Sequence, residues 1–415
     1  MTAASSLASE LPPIIHPARI ASAGYPHDAW RTLRATDPVR RFEDGPVPFW
    51  ALTKHADIME VGKNPETFLS APRLVITPND RGDFRPPPTL IEMDGEKHRA
   101  YRRIISSRFT PRALKKIHAD IDRIAKKIVD DMLAHGGREV DFVEQVSAPL
   151  PIAVIAWLLG VPESDWKLLF EWTNRTIGAD DPEYNVDGVP GVEAAQKAIF
   201  ETFQYFAKLV EERKKDPKDD LVSLFAHAEV DGQKLDPIDV LAYCQIIVVA
   251  GNETTRNATT GGMLALIEHQ AELRKVQQDP ALLGSAIEEI LRWVSPIIHF
   301  ARTASRDTVL RGRKIREGDH LALFYPSANR DEDVFDRPDV FDVARSPNRH
   351  IAFGIGEHFC AGAHLARLEL EYAFKYLLPR IDEIELTGPV ERLRSNLVGG
   401  IKHLPVRYSL KPAGR

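Results

Sequence analysis

The chain has 415 residues, with 54 Lys and Arg against 60 Asp and Glu, which gives a formal net charge of −6 at neutral pH. This balance gives no indication of a nucleic-acid-binding protein, which would carry an excess of basic residues. Only two cysteines are present, which excludes a disulfide framework and favours the reducing cytoplasm. The longest apolar runs, at residues 152–161 and 246–251, are shorter than the roughly 20 residues that cross a bilayer, so we expect no membrane span.

Residues 1–13 are rich in Ala and Ser. They lack the basic start and long apolar stretch of an export signal, so they are predicted to be a flexible tail. Length alone favours two or three domains. However, no linker, repeat or low-complexity block divides the sequence, and the informative motifs between residues 98 and 362 are expected to meet at one site. We therefore predict a single domain over residues 1–415, and a monomer.

The coarse secondary-structure pattern is that of a mainly α protein with small β-sheets near both ends. Asp44-Gly45 predicts a hairpin turn that leads into a strand within residues 46–53. A second hairpin is predicted within residues 308–325, with turns at Arg311-Gly312 and Glu317-Gly318. Apolar residues at helical spacing predict helices near residues 112–133, 162–176, 192–214, 219–228 and 236–270.

Residues 96–116 form a strongly basic segment in this acidic chain. They contain eight Lys and Arg residues and a single acid, Glu96. The segment is either a solvated basic helix or a docking surface for an acidic partner, since complementary charge speeds encounter. Within it, His98 and Arg102 lie one helical turn apart and can face the same carboxylate, which a planar guanidinium binds through two parallel hydrogen bonds.

The hexapeptide Ala250-Gly251-Asn252-Glu253-Thr254-Thr255 lies inside a long run, residues 240–266, that is predicted to be a buried helix. Glycine in mid-helix costs about 1 kcal/mol relative to alanine, so Gly251 needs a reason. Thr254 can donate to the carbonyl four residues earlier and open a groove in the helix. Glu253 and Thr254 then offer an acid and a hydroxyl that can relay protons. The alternative is an ordinary helix with a solvated glutamate.

Two further charged features follow along the chain. Glu289 and Arg292 are three residues apart on a predicted helix and can form an ion pair. On an exposed surface such a pair would contribute only about 0.5 kcal/mol, so the spacing alone is a weak signal. Arg302, in the segment 300–304, can either be solvated or bind a carboxylate.

The segment Phe353-Gly354-Ile355-Gly356-Glu357-His358-Phe359-Cys360-Ala361-Gly362 places Cys360 in a loop that opens a helix predicted over residues 361–376. The N–H groups and positive dipole of the first helical turn favour a thiolate, and the glycines permit close approach of a large planar ligand. Haem iron bound by a cysteine thiolate is chemistry that uses such a site. The alternatives are a buried, inert cysteine and a zinc site built from His358, Cys360 and His364.

This cysteine segment resembles the ligand loop of the cytochrome P-450 family, the haem-thiolate monooxygenases, in its Phe, Gly, His and Cys positions. The other three motifs occur in that family's order, and the chain is similar to the soluble bacterial members that take electrons from a ferredoxin. The resemblance implies the cytochrome P-450 fold, mainly α with small β-sheets. In that fold a single triangular-prism-like domain holds haem b between the long central helix and the cysteine-loop helix.

The resemblance also implies roles for individual residues. Cys360 would bind the iron, and Glu253 and Thr254 would form the acid-alcohol pair that delivers protons. Glu289 and Arg292 would be buried together with Arg345 as a structural network. The residues expected to contact haem, with its propionates held by the His and Arg side chains, are His98, Arg102, Ala250, Gly251, Arg302, Phe353, Gly354, His358, Cys360 and Gly362.

The implied activity is the insertion of one atom of O2 into a C–H bond of a lipophilic small molecule. Two electrons would come from a ferredoxin and its NAD(P)H-dependent reductase, with docking near residues 97–116. Retention of the acid-alcohol pair favours O2 over peroxide as the oxidant. A sterol side chain or an isoprenoid or branched lipid ranks equally with a terpenoid or aromatic substrate. A non-catalytic haem sensor or carrier and a cysteine-dependent hydrolase are the alternatives from other classes.

The substrate pocket implied by the resemblance draws its walls from residues 70–90, 170–184, 297–300 and 397–398, together with the central helix. Many of these positions are apolar, which favours a lipophilic substrate. Arg73, Arg81, Arg85 or His299 could bind a substrate carboxylate, although a loop arginine is more often solvated. The predicted pocket residues are Val249, Ala250, Ile297, Ile298, Phe300 and Val398.

Overall fold

The computed structural model describes residues 12–44, 47–77, 87–184, 189 and 191–412, so most of the predicted tail lies outside the described residues. Over these ranges the chain is mainly helical with small sheets, which confirms the prediction. None of the described helices is both long enough and apolar enough to cross a membrane.

The helices are α1 (Pro17–Ala23), α2 (His27–Thr36), α3 (His55–Gly62), α4 (Gly95–Ser106), α5 (Pro111–Leu114), α6 (His118–Leu133), α7 (Pro149–Leu159), α8 (Trp166–Ile177), α9 (Gly191–Lys215), α10 (Leu221–His227), α11 (Pro237–Glu268), α12 (Gln270–Gln278), α13 (Leu283–Val294), α14 (Tyr325–Ala328) and α15 (Ala363–Leu377). The strands are β1 (Val39–Phe42), β2 (Phe49–Leu52), β3 (Phe68–Leu69), β4 (Val140–Asp141), β5 (Glu229–Val230), β6 (Gln233–Lys234), β7 (His299–Ala304), β8 (Thr308–Leu310), β9 (Arg313–Ile315), β10 (His320–Phe324), β11 (Ile381–Leu386), β12 (Glu391–Arg392), β13 (Ile401–His403) and β14 (Pro405–Leu410).

The 32-residue helix α11 packs against α7, α8, α9, α10, α12, α13 and α15. Asp236 caps it, since its carboxylate accepts the backbone N–H of Ile238, and Pro237 starts the first turn. One apolar core packs the first part of α11 against α7, α9 and α10. A second core packs its last part against α13 and the end of α15. The middle of α11, which carries the hexapeptide, therefore lies between two apolar cores.

The largest sheet joins strands from residues 39–69 to strands from residues 299–324. Its strand order is β1-β2-β10-β7-β3, with β2 and β10 parallel and the other neighbours antiparallel, and a second sheet has the order β11-β14-β4. The pairs β1–β2 and β8–β9 confirm both predicted hairpins. The second turns at Arg311 and Gly312, both with positive φ, whereas residues 45 and 46 of the first turn lie outside the described residues. Because β7 is an interior strand, Arg302 on it is held in place and is only 5% exposed.

Three predicted helices have different ends in the structure. The helix predicted over residues 112–133 is two helices, α5 and α6, because tight turns separate them. The long central helix stops at Glu268, since His269 leaves helical geometry with φ −121° and ψ 66°, and α12 follows. The helix after the cysteine begins at Ala363 rather than at residue 361, because Gly362 has a non-helical backbone and forms the N-cap.

Helix α13 carries a fully buried ion pair. The guanidinium of Arg292 donates to both carboxylate oxygens of Glu289 at 2.7 Å, and neither side chain is exposed. Arg345 and Asn348 each donate to the same carboxylate at 3.1 Å, and Arg292 also donates to backbone carbonyls within residues 329–340. Removing one partner of such a pair costs about 3–5 kcal/mol. The structure thus brings the three residues of the predicted network together, and they fix α13 against the segment that leads into the cysteine loop.

Candidate active site

A cavity of about 260 Å³ lies between the middle of α11 and the loop that precedes α15. All ten residues predicted to contact a cofactor line it, so the motifs from residue 98 to residue 362 meet at one place. Most of the remaining wall is apolar. Its apolar members include Leu74, Leu90, Ile105, Phe109, Ile155, Leu291, Pro296 and Leu365.

A backbone hydrogen bond and two glycines shape the loop that carries Cys360. The backbone N–H of Cys360 donates to the carbonyl of Phe353 at 2.9 Å. Gly354 and Gly356 have φ of +71° and +70°, a region that other residues rarely adopt. A Cβ at Gly356 would also collide with the carbonyl oxygen of Gly62. The loop is therefore held in one shape, and it leaves the Cys360 side chain exposed at the cavity wall.

The surrounding protein removes water from the Cys360 thiol, and this desolvation raises its pKa. The N–H of Gly362 and the guanidinium groups of Arg102 and Arg367 lower the pKa, but by less. The helix end therefore lowers the pKa as predicted, but desolvation outweighs it in the protein without a bound metal. A metal cation at the sulfur would supply the missing stabilisation, because a metal-bound cysteine is deprotonated.

Two histidines and two arginines line the same cavity, and neither arginine has a carboxylate partner in the described chain. The rings of His98 and His358 stack with centroids 4.1 Å apart. Nδ1 of His98 is buried without a hydrogen-bond partner, and burial, aided by the charge of His358, lowers the pKa of His98 to about 4. Arg102 donates to the carbonyl of Phe359 at 2.5 Å, and burial lowers its pKa. Arg302 donates to the carbonyl of the preceding residue at 2.8 Å.

These four basic residues fit a ligand that carries two carboxylates, because a buried guanidinium without a counter-charge is costly. Haem b carries two propionates on a flat ring around an iron, and the thiol of Cys360 faces the same cavity. The residues present therefore fit haem b, with Cys360 as the iron ligand. The zinc alternative gains no support, since the metal-binding clusters found among the described residues are built around His403.

The acid and the alcohol of α11 have different surroundings. The hydroxyl of Thr254 donates to the carbonyl of Ala250 at 2.8 Å, which confirms the predicted bond, and both residues line the cavity. Glu253 is 1% exposed, and its Oε2 accepts from Arg256, which also donates to the side-chain oxygen of Asn174 on α8 at 2.8 Å. Its Oε1 has no partner among the described residues, and burial raises its pKa. The alternative of a solvated glutamate is therefore wrong.

Sequence reasoning missed three features here. Arg256 lies three residues after Glu253, and this spacing could have predicted the ion pair. No sequence pattern predicts the bond from Arg256 to Asn174 on α8. Gly251 is required by packing, since a Cβ there would lie 2.5 Å from Cδ1 of Ile155 on α7. Glu369 of α15 lines the cavity with Oε2 buried and unpartnered in the described chain, and burial raises its pKa well above the ordinary value. Nothing in the helical pattern around Glu369 predicts this.

One of the six predicted substrate-pocket residues is misplaced. Ile298 is fully buried in an apolar core with Ala301 and Phe324, away from the cavity. The reason is that successive residues of an extended segment point to opposite faces. The five predicted residues that do line the cavity are Val249, Ala250, Ile297, Phe300 and Val398.

Of the basic residues suggested for a substrate carboxylate, Arg73 and His299 do not line the described cavity. Arg73 donates to a backbone carbonyl at 3.0 Å. Nε2 of His299 accepts a backbone N–H at 3.0 Å, and burial lowers the pKa of His299 to about 4. Arg81 and Arg85 lie outside the described residues. Within the described wall, the only basic groups are therefore those that fit the haem propionates.

Comparison with known proteins gives consistent results. A family model described as Cytochrome P-450 matches residues 189–382. The chain is 40% identical over 379 residues to a steroid C26-monooxygenase of Mycobacterium bovis, covering 89% of this chain and 84% of the relative. It is 37% identical over 394 residues to a methyl-branched lipid omega-hydroxylase of the same organism, covering 92% and 90%. A crystal structure of a protein from Novosphingobium aromaticivorans matches with a TM-score of 0.87 and 34% identity, covering 97% of this chain and 100% of the other.

One carboxylate ties the helix that follows Cys360 to α13. Arg367 of α15 donates to both oxygens of Glu288, at 2.6 and 2.8 Å, and His350 makes a third bond at 3.0 Å. Burial alone would raise the pKa of Glu288, but the hydrogen bonds from Arg367 and His350 lower it to about 2. The folded protein therefore binds this proton more weakly than the unfolded chain, in which the ordinary pKa is 4.5.

This difference predicts a pH-dependent contribution to stability. The bonds of Glu288 contribute fully above the unfolded pKa of 4.5, and the contribution disappears as the pH falls from there toward 2. We expect the variant Glu288→Gln to unfold at lower urea concentration than wild type at about pH 7, with the gap narrowing below about pH 4.5. Urea titrations followed by circular dichroism measure this.

The matched control is Glu268→Gln, which removes an exposed carboxylate that makes no ion pair among the described residues. This variant should follow wild type at every pH. If the difference in urea midpoint between wild type and Glu288→Gln stayed constant down to acid pH, the lowered pKa of Glu288 would be contradicted.

Proposed function

This chain belongs to the cytochrome P-450 family and is a haem b monooxygenase, and we propose that it hydroxylates a sterol side chain or an isoprenoid or branched lipid with electrons from a ferredoxin. The observation that carries the proposal is one largely apolar cavity that brings together Cys360, Ala250 and Thr254. In the net reaction, one atom of O2 enters a C–H bond and the other leaves as water, with two electrons and two protons consumed. The two cysteines are free, which supports a reducing cytoplasm as the site of action.

Haem b and the residues that would bind it have different roles in the reaction. When bound, haem b supplies an iron that binds O2 and accepts electrons. Cys360 would hold that iron as a thiolate, and the positive charge of the metal would offset the desolvation that disfavours the thiolate in the protein without haem. Arg102 and Arg302 would neutralise the propionates, and His98 and His358 would form hydrogen bonds to them, which would fix the orientation of the ring.

Protons reach the cavity along α11. Glu253 is 1% exposed but forms part of the cavity wall, and burial, which raises its pKa, helps it hold a proton that it can pass on. Thr254 lies at the wall, and its hydroxyl must leave the carbonyl of Ala250 in order to donate into the cavity. Arg256 and Asn174 keep the carboxylate in position. Glu253 therefore stores the proton, and Thr254 delivers it.

The substrate class is supported by the cavity wall and by the relatives. The two relatives reported above are named for lipids, a steroid and a methyl-branched lipid. The predominantly apolar wall suits an alkyl chain, which buries its surface there without unpaired polar groups. These two points favour a lipid, and a terpenoid is the second candidate, because the apolar wall suits it equally and the chain is also 36% identical over 400 residues to Cytochrome P-450-terp of Pseudomonas sp. A haem carrier and a cysteine-dependent hydrolase are not retained, because the chain is a monooxygenase.

Part of the basic segment is exposed and free of acidic partners. In the described chain Arg99 pairs with Glu357, and Arg108 pairs with Asp219. We call the exposed basic residues that make no ion pair within the described ranges the basic surface. Its members are Arg103, Arg112, Lys115 and Lys116.

The basic surface adjoins the cysteine loop. Arg102 of α4 donates to the carbonyl of Phe359, α5 packs against α15, and the ring of Phe359 is 41% exposed. A partner that docks there would lie close to the iron ligand. An acidic ferredoxin complements the charge and would deliver electrons from its NAD(P)H-dependent reductase.

Loss of the hydroxyl relay should uncouple electron use from product formation. In Thr254→Ala the bound haem should keep its spectrum, while product formation falls about tenfold or more and peroxide release rises, because the proton donor at the cavity is gone. Product, NADH and peroxide are measured in the same reaction. Thr259→Ala is the matched control, since Thr259 makes the same kind of bond to a helix carbonyl but does not line the cavity. Equal coupling in both variants would contradict the relay.

Charge reversal on the basic surface should slow reduction by a ferredoxin. For Lys115→Glu combined with Lys116→Glu, the second-order rate constant with a purified acidic ferredoxin should fall about tenfold at low salt, and the difference should vanish at high salt. Stopped-flow absorbance measures the rate. Reversal of Arg40 and Lys314, which are exposed on β1 and β9, serves as the control and should leave it unchanged. If both charge-reversal pairs changed the rate constant by the same factor, docking at the basic surface would be contradicted.

A further inference from the structure

Part of the cavity wall is a short β-bridge between two segments that lie far apart in the chain. Residues 296–298 meet residues 397–399 through an antiparallel bridge between Ile297 and Val398. Backbone hydrogen bonds of 2.8 Å close the bridge on both sides. We call these two segments the wall bridge, and its members that line the cavity are Pro296, Ile297, Leu397 and Val398. The position of the wall bridge therefore helps to set the width of the cavity.

The residue that leads into the wall bridge has an unusual backbone. Ser295 follows α13 with φ of 42° and ψ of 72°, a left-handed conformation that residues other than glycine rarely adopt. Such a conformation persists only where the surroundings hold it, and it is often found at functional sites. Ser295 is 1% exposed, and its hydroxyl donates to the carbonyl of Arg292 at 2.9 Å and accepts from the amide of Asn329 at 2.7 Å. Ser295 thus fixes the direction in which the chain enters the wall bridge.

Tyr25, in the turn between α1 and α2, supports the wall bridge without lining the cavity. Its hydroxyl donates to the carbonyl of Ser295 at 3.0 Å. The same hydroxyl lies directly against Gly399, where an added Cβ would collide with it. The ring of Tyr25 packs against the apolar core that contains Ile298. One side chain therefore contacts both segments of the chain that form this part of the wall.

The second segment of the wall bridge is also tied to α11. The side chain of Asn257 accepts the backbone N–H of Ile401 at 3.0 Å and donates to the carbonyl of Glu253 at 2.8 Å. Residues 397–399 are therefore held between the helix that carries the proton-delivering residues and the hydroxyl of Tyr25. Since the bond to α11 fixes one end of this segment, Tyr25 limits how far the rest of it can move away from the cavity.

We infer that Tyr25 is a positioning residue for the substrate, because its hydroxyl and ring keep the wall bridge close to the cavity and so favour a slender substrate end over a bulky one. Without the hydroxyl, the carbonyl of Ser295 loses its partner and the wall bridge can relax into the space next to Tyr25. The cavity then becomes wider. This inference rests on the proposed function, since the same cavity would hold the lipid, and it adds a residue that selects the shape of the lipid from outside the cavity.

The test uses azoles that bind haem iron through nitrogen, so it does not depend on the identity of the substrate. The haem-loaded protein is titrated with imidazole, the slender 1-hexylimidazole and the bulky 1-(1-adamantyl)imidazole, and dissociation constants are read from the Soret shift. In Tyr25→Phe, the ratio of the constants for the two substituted azoles should move about threefold in favour of the bulky one, as expected for one lost hydrogen bond. Tyr25→Ala also removes the ring, and the ratio should move about tenfold. Imidazole carries no substituent and should bind wild type and both variants equally.

The matched control is Tyr408→Phe, which removes the same kind of bond away from the cavity, from a buried tyrosine hydroxyl to the carbonyl of Met132 at 2.6 Å. This variant should keep the wild-type ratio, whatever its effect on the free energy of unfolding. A ratio that is unchanged in Tyr25→Phe and Tyr25→Ala, that moves toward the slender azole, or that moves equally in the control would overturn the inference and leave the proposed function intact. If no azole shifted the Soret band of protein that retains haem, the placement of haem in this cavity would be overturned, and the proposed function with it.

Discussion

Two adjacent glutamates of α13 hold the chain on both sides of the cysteine. Glu289 binds Arg292, Arg345 and Asn348, and so fixes the segment that leads into the loop. Glu288 binds His350 before the loop and Arg367 after it. Because both carboxylates project from one buried helix, the loop cannot move independently of the core. This constraint keeps the thiol of Cys360 open to the cavity, and the rest of the site is arranged around it.

The cavity wall carries several polar groups that the protein itself does not satisfy. Nδ1 of His98 and Oε2 of Glu369 are buried without partners in the described chain, and the guanidinium of Arg302 has no carboxylate there. Each such group lowers the stability of the fold. A ligand with a metal and two carboxylates satisfies the cationic groups and the thiol together, so its binding stabilises the folded state by mass action. The residues that would bind the cofactor are therefore expected to make the haem-loaded protein more stable than the protein without haem.

The sequence was sufficient for features that depend on neighbouring residues. The bond from Thr254 to Ala250 and both hairpins follow from local spacing and backbone preference, whereas the residues expected to contact haem were implied by the resemblance to the cytochrome P-450 family. The sequence was insufficient to predict features that depend on contacts between segments distant in the chain. Ile298 was wrongly placed on the cavity wall because strand orientation is set by the sheet. The desolvation that raises the pKa of Cys360 depends on the packed surroundings. The partners of Gly251 and Arg256, on α7 and α8, lie far away in the chain.

The central claim is that the sulfur of Cys360 binds the iron as a thiolate. The absorption spectrum of the reduced protein with carbon monoxide tests it most directly, because the position of the Soret band depends on the ligand opposite to carbon monoxide. Wild type should show the strongly red-shifted band of a haem-thiolate protein, and Cys360→Ser should lose it while still binding haem through the basic residues. The same red-shifted band in Cys360→Ser would contradict the account.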